Sequence, residues 1–249
     1  MNNFFPLIEL RTVNSTNLYA ERLLMRNNVV EGTIIFAHEQ TSGKGQGDNT
    51  WESEPGQNAT FSLILFPDFL KPDKQFLLNK AISLGVIDFL LSVVIEQKFA
   101  VKWPNDIYAG IRKIGGILIQ NTICGTKFKS CIAGIGLNIN QEKFNPGLPN
   151  PVSLKQLTGK DYNVKDTVNL IAAYIDERYQ QLKKGAAESL GREYQDKLLW
   201  INEWKNFSVN KKLIKGKIKG VDEFGVLILE IRNDTSRNFH HGDIEFVFP

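Results

Sequence analysis

Lys102-Trp103-Pro104-Asn105-Asp106 is followed, a short way on, by Lys113-Ile114-Gly115-Gly116-Ile117-Leu118. The first segment closes an apolar run, Phe99 to Trp103, that reads as a short strand. Pro104 ends it, because proline has no amide hydrogen to give to a ladder. Pro-Asn-Asp then supplies turn chemistry. The second segment opens another strand, Ile111 to Cys124, on a glycine pair. A lysine beside bare backbone can aim its ammonium at a ligand lying across it. A hairpin with an exposed lysine is the blander alternative. Gly125-Thr126 separates this strand from the next, Lys127 to Asn138, and predicts a hairpin. That second strand ends in Gly134-Ile135-Gly136-Leu137-Asn138. Glycines inside a strand suggest close approach of a ligand or another backbone. Asn138 offers donors and acceptors to a heterocycle, or serves only as a structural strand end.

Upstream, Glu39 to Asn58 is polar, has no hydrophobic period and holds Gly43, Gly45, Gly47 and Gly56. So long a loop in a compact chain is commonly functional. Its centre, Gly43-Lys44-Gly45-Gln46-Gly47-Asp48-Asn49-Thr50-Trp51, brings backbone N–H groups within reach of an anion. It lacks the ending of a phosphate-binding P-loop and the spacing of a dinucleotide fingerprint. A flexible surface loop is the alternative, against which stands Trp51, a large aromatic that should pack on something. Strands are predicted at Thr33 to Ala37 and Ala59 to Phe66. Helices are predicted from Asn14 or Ser15 to about Asn27, from Lys74 to about Gln97, from Asn163 to Leu182 and from Ala186 to Trp200. Asn145 to Pro151 reads as irregular.

From about Ser208 short runs alternate between apolar and polar with glycines between them, the texture of a small antiparallel barrel. The expected division is therefore 1–205 and 206–249. Trp200 and Trp204 are expected on one helical face at the interface between the two parts.

Composition narrows the classes. The chain has 249 residues, 42% hydrophobic and 23% charged, which excludes disordered and collagen-like chains. Thirty Lys and Arg against 27 Asp and Glu leave +3, too little to imply a nucleic-acid partner. Lys211, Lys212, Lys215, Lys217 and Lys219 read first as the solvated face of barrel strands, and second as a surface for nucleic acid or an acidic partner. Cys124 and Cys131 are too few for a disulfide scaffold and are expected as small buried hydrophobes on neighbouring strands. The apolar region from Ala81 to Ile95 is too interrupted to span a bilayer, and the N-terminus lacks the pattern of a signal peptide. A cytoplasmic address is the expectation.

Taken in order, the motifs resemble those of biotin–protein ligases. Gly43 to Trp51 matches the family's glycine-rich loop. Lys102 to Asp106 and Lys113 to Leu118 match its most specific block, Gly134 to Asn138 its third, and Ser15-Thr16-Asn17 its Ser-Thr-Asn. The resemblance implies an α+β fold, a mixed or antiparallel sheet flanked by helices of the class II synthetase-like kind, with an SH3-like barrel at the C-terminus. It implies two reactions: biotin and ATP give biotinyl-AMP, and a carrier lysine then displaces AMP. Ser15, Thr16, Asn17, Gln40, Lys44, Gly45, Gln46, Lys113, Gly115 and Gly116 would bind biotin. Gly43, Lys44, Gly45, Gln46, Trp51, Asn105 and Asn138 would bind ATP or the adenylate. Lys113, Lys44 and Asp106 would be catalytic, with Asp106 also a candidate for Mg²⁺ and Lys102 a support residue. The implied partner is a biotin carboxyl carrier domain of a carboxylase, with a homodimer possible and neither DNA nor membrane involved. Because the Ser-Thr-Asn begins at residue 15, the short form without a DNA-binding domain is expected. Two departures stand out: lysine at 44 for the family's arginine, and Gly47-Asp48 for its Arg-Gly. A lipoate or octanoate ligase of the same superfamily and a non-catalytic relic of the fold are the rival readings.

Overall fold

The structure, a computed structural model, describes residues 5–26, 29–47, 49–232 and 235–248. Asp48 and the expected helix end at Asn27 lie outside the described residues. The larger sheet contains β1 (Leu7–Val13), β2 (Ile34–Gln40), β3 (Ala59–Leu65), β4 (Phe99–Lys102), β5 (Asp106–Ala109), β6 (Arg112–Cys124) and β7 (Lys127–Leu137). Their spatial order is β1-β2-β3-β7-β6-β5-β4. Only β1 and β2 run parallel; every other neighbouring pair is antiparallel. The helices are α1 (Thr16–Met25), α2 (Phe76–Val93), α3 (Leu154–Thr158), α4 (Val164–Lys183) and α5 (Ala187–Asp196). The expected mixed sheet flanked by helices is what forms.

Side chains alternate faces along a strand, and here the two faces do different work. Phe61, Leu63 and Leu65 of β3 join Ala133, Ile135 and Leu137 of β7 in the main core, with Leu78 and Ile82 of α2 and Ile171 and Ile175 of α4. Each such large side chain contributes about 1.5–3 kcal/mol on burial. The backbones of α2 and α4 meet at Gly85, where a Cβ would stand 2.6 Å from Ile175 Cα. On the opposite face, Ile64 and Ile132 pack with Ile35 and Ala20 of α1. Further along that same face come Ser62 and Thr60 on β3, and Gly134 and Gly136 on β7. The apolar pattern stops there, and the site begins.

Composition alone would let Pro72–Val93 cross a membrane, since its mean hydropathy is 1.7. This corrects the expectation that no stretch is apolar enough. The segment is apolar because it is the core helix, with Leu78, Ala81, Ile82, Val86, Ile87 and Leu90 all fully buried. Asn163 caps α4, its side chain accepting from Asp166 N–H.

A second sheet holds β8 (Trp204–Val209), β9 (Lys212–Val221), β10 (Leu227–Ile231), β11 (Thr235–Phe239) and β12 (Glu245–Phe246), in the order β11-β10-β9-β8-β12, all antiparallel. β8 begins at Trp204, so a division between 205 and 206 falls inside a strand. The helix expected to reach Trp200 ends at Asp196. Trp200 packs against Phe207, Phe246 and Phe248, as an interface residue should. Trp204 instead lies on β8, 41% exposed; the helical period that paired the two does not hold past Asp196. Cys131 is buried, but Cys124 is exposed near the tip of the β6–β7 hairpin, beyond the reach of the core.

The turn from β9 to β10 is pressed onto the larger sheet. Trp103 Nε1 donates to Gly225 O at 2.9 Å. The Phe76 ring fills the place a Cβ would take on Gly225. Gln195 bonds both the N–H and the C=O of Val221, at 3.0 and 2.6 Å.

Candidate active site

A cavity of about 330 Å³ opens over the glycine-bearing part of the larger sheet. Its floor is a matter of register. Gly116 pairs with Gly136, and Gly136 with Thr60. One row along, Leu118 pairs with Gly134 and Gly134 with Ser62. A Cβ on Gly136 would stand 2.4–2.8 Å from the Trp51 ring, and one on Gly134 would meet Asn17 Oδ1 at 2.3 Å. Both glycines are therefore required by what lies on them. Gly116 is different: its nearest neighbours would be Asp106 Oδ1 at 3.3 Å, Trp51 at 3.8 Å and Lys113 Cε at 3.9 Å. It lies beneath three functional side chains, with less crowding than Gly134 or Gly136.

One wall is a buried polar chain. Ser15 takes the N-cap position of α1, yet its side chain makes no capping bond. Gln40 performs that task, its Oε1 accepting from Thr16 N–H at 2.8 Å and Thr16 Oγ1 at 3.1 Å. Ser15 itself lines the cavity. Ser62 Oγ lies 2.8 Å from Thr16 Oγ1 and donates to Asn17 Oδ1 at 2.6 Å. Asn17 Nδ2 in turn reaches Gln120 Oε1 at 2.9 Å. Each link fixes a rotamer of the next, so the polar groups are held before any ligand arrives.

The opposite wall carries charge. Lys113 Nζ lies 2.7 Å from Asp106 Oδ1, and Lys102 Nζ lies 3.6 Å from Asp106 Oδ2. Burial lowers the Lys102 pKa, partly offset by Asp106 and reinforced by Lys113. Lys102 also stands 5.1 Å over the Phe246 ring of the second sheet. Lys113 is anchored through its own backbone, its N–H donating to Asn150 O and its C=O accepting from Val152 N–H. Two lysines thus share one carboxylate, which leaves net positive charge where anions could be drawn together.

The glycine loop folds over as a small hairpin. Gly45 N–H donates to Asn49 O and Trp51 N–H to Gly43 O, with Lys44 bridged to Thr50. A Cβ on Gly43 would stand 2.5 Å from Trp51 O. The far end is pinned by buried Asn58, whose Oδ1 accepts from Ile139 N–H at 3.0 Å. Trp51 Nε1 and Gln46 Oε1 are buried with no hydrogen-bond partner within the chain.

Most of the expected residues meet here: Ser15, Thr16, Asn17, Gln40, Lys44, Gly45, Gln46, Trp51, Asn105, Asp106, Lys113 and Gly116 all line the cavity. Three expected residues do not. Gly43 supports the loop from behind. Gly115 faces the other way, and its Cβ would strike Leu137 and Gly136 O. Asn138 is buried, its Nδ2 donating to Val152 O at 3.1 Å, which ties the strand end to the segment beside Lys113. Asn105 reaches the cavity, but its Nδ2 is spent on Ile117 O at 2.6 Å. Asp106, the carboxylate expected to serve magnesium beside ATP phosphates, lines the cavity as well. Asp106 is held by two lysines, and no cluster of three His, Cys, Asp or Glu occurs among the described residues.

The family profile described as biotin/lipoate A/B protein ligase matches residues 9–140, which spans both walls of the cavity. The chain belongs to this family. Within it the chain groups with the biotin–protein ligases. The bifunctional ligase/repressor BirA of Bacillus subtilis is 30% identical over 96% of this chain and 73% of its own length. The biotin--[acetyl-CoA-carboxylase] ligase of Paracoccus denitrificans is 23% identical over 88% of this chain and 92% of its own. The biotin protein ligase of Aquifex aeolicus, solved in complex with biotin and ATP, superposes with a TM-score of 0.79 at 27% identity, covering 97% and 98% of the two chains. The fold is that of biotin protein ligases, and the chain is an enzyme of that type.

Sequence reasoning missed Ser62 as part of the site, and His241, which also lines the cavity; Gly134 and Gly136 it marked as points of close approach, without a ligand role. Polar Thr60 and Ser62 alternating inside an otherwise apolar strand were the available signal. Nothing local in the sequence could have placed His241.

Proposed function

We propose that this enzyme joins biotin to a lysine of a biotin carboxyl carrier domain in two steps through biotinyl-AMP. In the first, a carboxylate oxygen of biotin attacks the α-phosphorus of ATP and pyrophosphate leaves. In the second, a lysine amine attacks the acyl carbon of the mixed anhydride. The bond from that carbon to the phosphate oxygen breaks, AMP departs with the electron pair, and the proton lost by the amine nitrogen passes to solvent. Neither step needs a nucleophile on the enzyme. What is needed is positioning, and charge that offsets the repulsion of two anions.

The observation that carries the proposal is the Lys113 ammonium, held at 2.7 Å by Asp106 above Gly116. In this reading the ammonium turns to the carboxylate–phosphate junction when the anions enter, and Asp106 and Lys102 keep it poised between visits. Ser15, Thr16, Asn17 and Gln40 take the ureido ring, Lys44, Gly45 and Gln46 close over the acyl phosphate, and Trp51 borders the adenine. Magnesium enters only as the counter-ion of ATP, and no step is assigned to it.

The test is incubation with biotin, MgATP and an apo carrier domain, read by mass spectrometry for the mass gain of one biotinyl group, with lipoate run in parallel. Biotin, and not lipoate, should be transferred. Lys113→Ala should slow the overall reaction about 10²- to 10³-fold, the usual effect of losing one preorganised charge stabiliser. Full activity in Lys113→Ala would overturn the assignment of roles.

A further inference from the structure

The glycine loop leaves the larger sheet after β2 and rejoins it at β3. At its first root, Thr41 N–H donates to Val13 O and Ser42 N–H to Asn14 O, both at 2.9 Å. Its second root follows Trp51 and is held largely by a buried pair of side chains that do not line the cavity, Asn58 and Gln141. Gln141 Oε1 accepts from Glu54 N–H at 3.1 Å and from Asn58 Nδ2 at 2.5 Å. Asn58 Nδ2 also donates to Ser53 Oγ at 3.1 Å, while its Oδ1 takes Ile139 N–H. Gln141 Nε2 donates to Lys143 O at 2.8 Å, which settles the direction of that amide. Two main-chain bonds accompany the pair, Gly56 N–H to His38 O and Asn140 N–H to Gln57 O.

Resting on the two-step reading above, we propose that Gln141 is a positioning residue for that reaction: with Asn58 it fixes the second root of the glycine loop, and so keeps Lys44, Gly45 and Gln46 closed over the acyl phosphate between the two steps. Buried amides are costly unless bonded, and in a chain of such bonds each link orders the next. Without Gln141 Oε1, Glu54 N–H loses its acceptor and Asn58 Nδ2 one of its two. The loss falls just beyond Trp51, whose ring lies on Gly136, and the loop gains a looser seating. Lys113 does not depend on the pair, because its main chain is tied to Asn150 and Val152. The two demands on the site therefore separate. Joining biotin to AMP calls on the charge of Lys113, whereas retaining the adenylate calls on a loop that stays shut.

The experiment measures retention and formation apart. Gln141→Leu removes the acceptor at similar size. Gln141→Glu keeps a carboxylate oxygen for Glu54 N–H and Asn58 Nδ2. Asn163→Ala removes the cap of α4 and shows the effect of lost stability alone. Retention is the rate at which labelled biotinyl-AMP leaves the full-length enzyme when chased with unlabelled biotinyl-AMP. Formation is biotin-dependent exchange of pyrophosphate into ATP at saturating biotin and MgATP. Gln141→Leu should release the adenylate about tenfold faster, the order of one lost buried hydrogen bond, with exchange close to wild type. Gln141→Glu and Asn163→Ala should release it at the wild-type rate. Unchanged release in a folded Gln141→Leu would overturn the proposal. So would equally fast release in Gln141→Glu or Asn163→Ala, or a loss of exchange matching the faster release. Should the leucine variant not fold, Asn58→Asp takes its place: it keeps the acceptor for Ile139 N–H, offers Gln141 no donor, and must release the adenylate faster or the proposal fails. A wild-type enzyme without biotin-dependent exchange would instead sink the two-step reading itself.

Discussion

Gly136→Ala tests whether Trp51 is part of the floor of the site. Gly136 and Gly116 are partners in register on neighbouring strands, on the same face, and a methyl group at each meets different things. At 136 it falls 2.4 Å from Trp51 Cε2 and 2.7 and 2.8 Å from two further ring atoms; at 116 the closest atom is 3.3 Å away and is a carboxylate oxygen. The indole is a rigid plate whose backbone is tied to Gly43, so it cannot yield by rotating a flexible end. Overpacking of this kind costs about 1–3 kcal/mol. For a chain of this length, that is a fall of roughly 2–12 °C in Tm, at about 2–4 °C per kcal/mol. Gly116→Ala should stay within about 0.5 kcal/mol of wild type. Urea unfolding followed by circular dichroism measures both. Removing the plate should relieve the clash: in the pair Gly136→Ala with Trp51→Ala, the double variant should recover 0.5–3 kcal/mol relative to the sum of the singles. Equal stabilities for the two alanine variants, together with no coupling to Trp51, would refute the placement of that ring.

Further outcomes follow from other contacts. Ser62→Ala leaves buried Asn17 Oδ1 without its donor and should cost about 1–3 kcal/mol, with a raised KM for biotin and a kcat nearer to wild type in steady-state assays. Lys80 is buried over the Phe76 and Tyr194 rings, at 5.5 and 5.9 Å, and burial lowers its pKa despite Asp222 and Glu223. The folded state therefore binds that proton more weakly than the unfolded chain, whose lysine titrates near ~10.4. This group's contribution to stability rises with pH between the lowered value and that one. Lys80→Met should flatten the rise, as seen in urea midpoints measured at pH 7 and pH 10; an identical pH dependence in both proteins would argue against a buried cation. Burial pushes the Cys131 thiol up to about 12, while Cys124 is exposed. A thiol reagent at pH 8 should label one cysteine in the native protein and two in urea, with peptide mapping assigning the first to Cys124.

Much of the fold could be read locally. β3, the β6–β7 hairpin, α4 with its Asn163 cap, and β9 and β10 each carry their own periodicity or turn chemistry. β1 and β5 escaped detection. β5 spans only four residues, too few to show a period, and β1 is half-exposed with no clean alternation. The helix expected to end at Trp200 stops at Asp196 because the chain there is recruited by other partners: Leu199 N–H bonds Val101 O and Asn202 N–H bonds Ile218 O. Such long-range bonds leave no mark in local propensity.

By itself the sequence determined the chemical vocabulary of the site: a lysine beside a glycine pair, a glycine loop closed by a tryptophan, and a Ser-Thr-Asn opening a helix. Those are choices of residue type at short spacing, and spacing is what a sequence records. Only the tertiary structure decided which way each residue faces and what it meets. A strand's period of two says that Gly115 and Gly116 point to opposite sides, but not which side is the cavity. Register across four strands brought Ser62, Gly134, Gly136 and Gly116 onto one surface. Docking of the second sheet delivered His241, and packing turned Asn138 inward to hold the chain beside Lys113. These outcomes depend on contacts between residues far apart in the chain, whose energies are set by the whole packed core.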